Sequence, residues 1–200
     1  MLKTHDRFVN LKLIEYISRP QYNHGCSFAA LTGVFNYLYA EQIGLIPAKD
    51  LASALNKQVD LIGTRGNVPE NEDVMDWFDK LTRYYHVKGY SSVYFSKANT
   101  SKRASIFLEI KQLLKRRDYA FIYNLSNHYN LVIGYFEHAK IPEEAYKIET
   151  ENGKPIEIDR WLILGDHSKH FDPIWSRDWE EIIKDVENNP PHCIMAFVKE

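Results

Sequence analysis

The chain has little cysteine: two residues, Cys26 and Cys193, in 200. That excludes a disulfide framework, and the wide spacing fits no zinc motif. It lacks a strong charge of either sign, at a formal net −2, so binding nucleic acid through an overall field is not expected. No apolar run approaches the roughly 18–20 residues needed to cross a bilayer. The N-terminus, Met-Leu-Lys-Thr-His-Asp-Arg, has no signal-peptide pattern, which leads to an expected cytoplasmic location with reduced thiols. There is no internal repeat and no low-complexity linker. No cofactor motif is expected.

What is present reads as one α+β domain over residues 1–200, helical to about 117 and sheet-forming from about 118. Helices are predicted from Cys26 to about Tyr39, with Leu31, Val34, Phe35 and Leu38 on one face, over Pro47–Leu55, and over Glu70–Tyr84. A further helix over Lys102–Arg116 turns Ile106, Ile110, Leu113 and Leu114 inward. Its outer face, with Lys102, Arg103, Lys111, Lys115, Arg116 and Arg117, reads as solvated. Strands are predicted at Tyr90–Phe95, Tyr119–Leu125, His128–Phe136, Trp161–Leu164 and Cys193–Val198. Ser176–Val186 reads as a helix capped by Ser176. Asn56–Asn71 reads as a loop. Glu137–Asp159 reads as an insertion, with room for a hairpin about Asn152-Gly153.

The chemistry concentrates at Gln21-Tyr22-Asn23-His24-Gly25-Cys26-Ser27, where a polar stretch delivers Cys26 to a helix start. Unpaired N–H groups and the helix dipole favour an anion there, and the thiolate is the nucleophilic form of cysteine. A nucleophile needs a base and the base an orienting group. His128, at the start of a buried-looking strand, is the best base. Asp166, directly after Trp161-Leu162-Ile163-Leu164-Gly165, fits the orienter, with Asp172 competing for that role. Gln21 could offer an amide N–H to an oxyanion, with Asn23 and His24 as alternatives. The segment Asp166-His167-Ser168-Lys169-His170 also has the residue types of a zinc site, though it reads better as a loop. Cys193, within a terminal apolar strand, reads as core, as do Trp77, Phe78, Trp175 and Trp179.

In this order the residues resemble the papain-like cysteine peptidase superfamily. Asn127-His128 followed by aliphatics and Gly134-Tyr135 is similar to the histidine patch of papain-type enzymes. A short aliphatic strand ending in Asp166 looks like the C39-like, bacteriocin-processing branch. The resemblance implies a papain-like fold and cleavage of amide bonds in a peptide or protein substrate. In it Cys26 is the nucleophile, His128 the base, Asp166 the orienter and Gln21 the oxyanion donor. Amide transfer and glutamine deamidation use the same groups, and a non-catalytic binding module on the same fold is the alternative from another class.

Overall fold

The computed structural model describes residues 6–17, 25–58, 62, 69–125, 128–141, 153–167 and 172–200. In chain order the elements are β1 (Asp6–Val9), α1 (Leu11–Ile14), α2 (Cys26–Ile43), α3 (Ala48–Ala54), α4 (Asn71–Tyr84), β2 (Gly89–Phe95), a 3₁₀ segment (Lys97–Lys102) and α5 (Arg103–Leu113). Then follow β3 (Tyr119–Leu125), β4 (His128–Ala139), β5 (Ile158–Gly165), β6 (Ile174–Asp178), α6 (Trp179–Asn188) and β7 (Cys193–Lys199). This is an α+β arrangement with a helical N-terminal part and an antiparallel sheet. No described helix is long and apolar enough to cross a membrane.

The sheet has seven strands in the order β2-β7-β3-β4-β5-β6, and β1 pairs with the far half of β4. All pairings are antiparallel. Strand alternation sends side chains to two opposite faces. Ala120, Ile122, Leu131, Ile133, Met195 and Phe197 join α2, α3 and α4 in one apolar cluster. Phe121, Tyr123, Val132, Leu162, Leu164 and Ile194 join α5 and α6 in a second. The register shift after Val132 is a bulge, and it moves Tyr135 to the α5–α6 face. Glycine is needed there: a Cβ on Gly134 would lie 2.2 Å from the Phe8 carbonyl oxygen of β1.

The helix predicted to be one-faced is not so. Every residue of α2 from Cys26 to Tyr39 is buried. The reason is compositional: the run from Cys26 to Ala40 has no charged residue, so no side of the helix seeks water. Asn36 supplies the polar stitch, exchanging hydrogen bonds of 2.9 and 2.8 Å with the Ile46 backbone. By contrast α4 is amphipathic, with Val74, Trp77, Phe78 and Leu81 inward and a reciprocal Glu70–Asp73 cap at its start.

Four expectations need correction. Ser176 does not cap a helix: Ile174–Asp178 is strand β6, paired with β5, and Asp178 caps α6 by accepting from the Glu180 and Glu181 N–H groups. Edge pairing to β5 outweighs the helical tendency of a five-residue stretch. The sheet is not confined to the C-terminal part, since β1 and β2 join it. The outer face of α5 is only partly solvated. Lys111 is 14% exposed and bonded to Glu137, with Asp6 at 3.0 Å. The insertion is framed by Ala139 paired with Ile158, so both of its expected ends are strand. The first flank of its proposed hairpin and Asn152, and most of the loop expected over Asn56–Asn71, lie outside the described residues, whereas Gly153 is described with a left-handed φ of 70°.

Candidate functional site

Cys26 opens α2 after Gly25, and among the described residues no side chain caps this end. His128 opens β4, and Asp166 follows the last residue of β5. Because β4 and β5 are antiparallel with Leu131 opposite Gly165, the start of one and the end of the other share one edge of the sheet. Packing α2 against β4 brings the thiol to the same place.

The Nε2–H of His128 donates to Asp166 Oδ2 at 2.7 Å. Asp166 is 1% exposed, and its own N–H donates to the Pro173 carbonyl at 2.9 Å, which fixes the carboxylate from the backbone side. With Nε2 so engaged, Nδ1 is the ring nitrogen left for the Cys26 thiol, which shares a hydrogen bond with the imidazole. The Asp166 bond first, and the Cys26 bond second, push the His128 imidazole up to about 10, against the opposing effect of burial. The competing Asp172 is exposed, and it is Asp166 that bonds the ring.

Gln21, Asn23 and His24 lie outside the described residues. So does His170, and the described residues contain no group of three or more metal-ligating side chains. His167 is fully buried instead. Its ring edge would lie 3.6 Å from a Cβ on Gly33 of α2, which would also meet the Tyr16 carbonyl oxygen at 3.0 Å and Leu131 at 3.2 Å. The missing side chain of Gly33 therefore lets the thiol-bearing helix, β4 and the Asp166 segment meet. Cys193 is 3% exposed, and burial pushes its thiol up to about 12.

Sequence reasoning missed a polar scaffold beside the site. Asn124 of β3 donates to Asn71 at the start of α4 (2.8 Å), and Asn71 donates to the Pro191 carbonyl (2.7 Å). Tyr129, next to His128, donates to the Pro69 carbonyl (3.2 Å). These bonds clamp the first turn of α4 to the sheet edge that carries His128. The available signal was an asparagine in the run Tyr119-Ala-Phe-Ile-Tyr-Asn124, where every neighbour is apolar or aromatic.

Comparison with known proteins changes the family assignment. A family described as basic immunoglobulin-like variable motif-containing protein matches residues 3–198. Relatives with that name include one from Xenopus tropicalis, 29% identical over 88% of this chain, and one from Homo sapiens, 28% identical over 89%. A third, from Giardia intestinalis, is 25% identical over 90% of this chain. The matched region is 36% of the Xenopus protein, 37% of the human protein and 74% of the Giardia protein, so the chain spans little over a third of its vertebrate relatives. These findings overturn the expected membership of the papain-like C39 peptidases, and with it the assignment as a cysteine peptidase or amide hydrolase. The relatives are not named as peptidases, and their match runs through nearly all of the chain, whereas the resemblance rested on three short patches. Such patches report local chemistry, which unrelated families reach independently. The chain belongs to the family of basic immunoglobulin-like variable motif-containing proteins.

Proposed function

We propose that Cys26, His128 and Asp166 form a nucleophilic-thiol site within this family, one that bonds covalently to an electrophilic carbon of a bound ligand. The observation that carries this reading is a single imidazole placed between a buried carboxylate and a helix-start thiol. His128 takes the thiol proton, the sulfur electron pair forms the S–C bond to a carbonyl carbon as the C=O π pair moves onto oxygen, and that oxygen takes the proton from the imidazolium, which Asp166 stabilises and orients. The α2 N-terminus, without a side-chain cap among the described residues, places the sulfur at the positive end of the helix dipole. Amide cleavage has no place in this reading. A thiol on a buried helix, facing an imidazole and a carboxylate from neighbouring antiparallel strands, supports a papain-like layout of the fold. Two apolar clusters sharing one sheet support a single domain.

Iodoacetamide at pH 6, with alkylated peptides read by mass spectrometry, tests the site. Cys26 is expected to react faster than a free thiol and far ahead of Cys193, and His128→Ala is expected to slow it about 100-fold. A Cys26 rate no faster than that of a free thiol, unchanged by His128→Ala, overturns the proposal.

A further inference from the structure

Two glycines flank the working parts of the thiol site, and consecutive residues near the N-terminus fill the notches they leave. Gly33 lies about two turns along α2 from Cys26, on the same helix face. Gly165 is the last residue of β5 and directly precedes Asp166. A Cβ on Gly165 would lie 2.6 Å from Cδ1 and 3.3 Å from Cγ1 of Ile17, and 3.2 Å from Cγ2 of Ile133. A Cβ on Gly33 would meet the carbonyl oxygen of Tyr16. The end of α1 is therefore wedged between the helix that carries the thiol and the strand that leads to the carboxylate.

The wedge is itself well anchored. The Tyr16 and Ile17 N–H groups donate to the Leu13 and Ile14 carbonyls at 3.1 and 3.0 Å, closing the turn that follows α1. At the start of α1, the Asn10 N–H donates to the Ile133 carbonyl of β4 at 2.7 Å. The Asn10 side chain accepts from the Leu13 N–H at 3.0 Å and donates to the Tyr37 hydroxyl of α2 at 2.7 Å. So α1 is tied to β4 and to α2, and it offers Ile17 to β5 from a fixed backbone. Asp166 depends on such support. Its own N–H is held by Pro173, but the residue before it has no side chain with which to pack. Half-buried Ile17 supplies that packing from the α2 side of the sheet. The 2.7 Å bond from His128 to Asp166 tolerates little displacement, because hydrogen bonds weaken steeply with misalignment.

We propose that Ile17 is a positioning residue for the thiol site: packed on Gly165, it holds Asp166 within hydrogen-bond reach of His128, and so makes the N-terminal segment β1–α1 part of the site's framework. Ile17 acts through the Gly165 backbone. This role rests on the reading of Cys26, His128 and Asp166 as one site.

The test is an NMR titration of the His128 ring in the whole chain, run beside Cys26 alkylation by iodoacetamide. Ile17→Ala empties the Gly165 notch. It should move the His128 inflection down by about one pH unit as the Asp166 bond loosens, and slow alkylation about 10-fold through misplacement of the imidazole. Ile17→Val lacks only Cδ1, keeps the fold, and should move both readings the same way by less. Ile14→Ala, on the same helix and packed against the same apolar cluster, should lower stability and leave the inflection where the parent has it. A merely structural Ile17 would lower stability in Ile17→Ala with the inflection unmoved, and that result overturns the proposal. So does an inflection that Ile14→Ala moves as far as Ile17→Ala does. If Cys26 of the parent reacts no faster than a free thiol, the nucleophile reading fails, whereas the His128 inflection still decides whether Ile17 holds Asp166.

Discussion

Among the described residues two histidine–aspartate pairs lie against this sheet, and they are built for opposite ends. In His128–Asp166 the carboxylate takes Nε2, and the ring faces a thiol. In His192–Asp185 the carboxylate takes Nδ1 and spends its other oxygen on a tyrosine hydroxyl. The first has a nucleophile as its third member and lies at a helix start. The second ties β3, α6 and the segment before β7 into one knot. An imidazole–carboxylate contact is therefore no mark of reactivity on its own; the third partner decides what the pair does.

The comparison can be broken most forcefully at the structural pair. Asp185→Ala removes the acceptor of two buried donors and should cost about 3–5 kcal/mol in urea denaturation. Alkylation of Cys26 in the folded fraction should stay at the parent rate. If the variant is as stable as the parent, the knot is not structural. The converse experiment is Asp166→Asn, which should slow Cys26 alkylation about 10-fold or more through loss of imidazole orientation, with a smaller effect on stability.

A third variant addresses how the thiol site is assembled. Gly33→Ala puts a methyl against the Tyr16 carbonyl and Leu131, and should destabilise the fold by about 1–3 kcal/mol. Its distinctive result would be slower Cys26 alkylation, because α2 must retreat from the strand that carries His128.

The subtlest test is pH. The folded-state His128 is raised to about 10 from an ordinary value of 6.5. A raised value means that the folded state holds this proton more tightly. The resulting stabilisation is complete below pH about 6.5, and it is lost as pH rises through about 10. An NMR titration of the His128 ring should show its inflection near 10, and Asp166→Asn should move it down. An inflection near 6.5 in the parent would show that Asp166 and Cys26 do not hold the His128 proton.

How much of this was legible in the sequence depended on the range of the interaction. The amphipathic helix α4 follows from local periodicity and the strands β3 and β7 from short apolar, aromatic and β-branched runs, and Cys26, His128 and Asp166 each mark a junction that local pattern exposes. Strand β6 was hidden because Trp175 and Arg177 pair with β5, a tertiary fact. The four-residue elements β1 and α1 are too short to carry a period. The Asn124–Asn71 and Asp185–Tyr123 bonds join residues far apart in sequence, so no local window contains them. The family was the largest miss. Three patches of similar chemistry pointed to peptidases, while the match that identifies the chain is diffuse and spread over nearly all its length.

The helix buried on every side has a kinetic consequence. An amphipathic helix gains most of its shelter from a single neighbour, but α2 does not. Its surroundings include α1, α4 and strands as late as β7, where Met195 and Phe197 join its cluster. Early collapse therefore leaves an uncharged, aromatic-rich segment partly open until the last strand inserts between β2 and β3. High contact order slows that step, so the unfinished chain presents its stickiest surface while it waits.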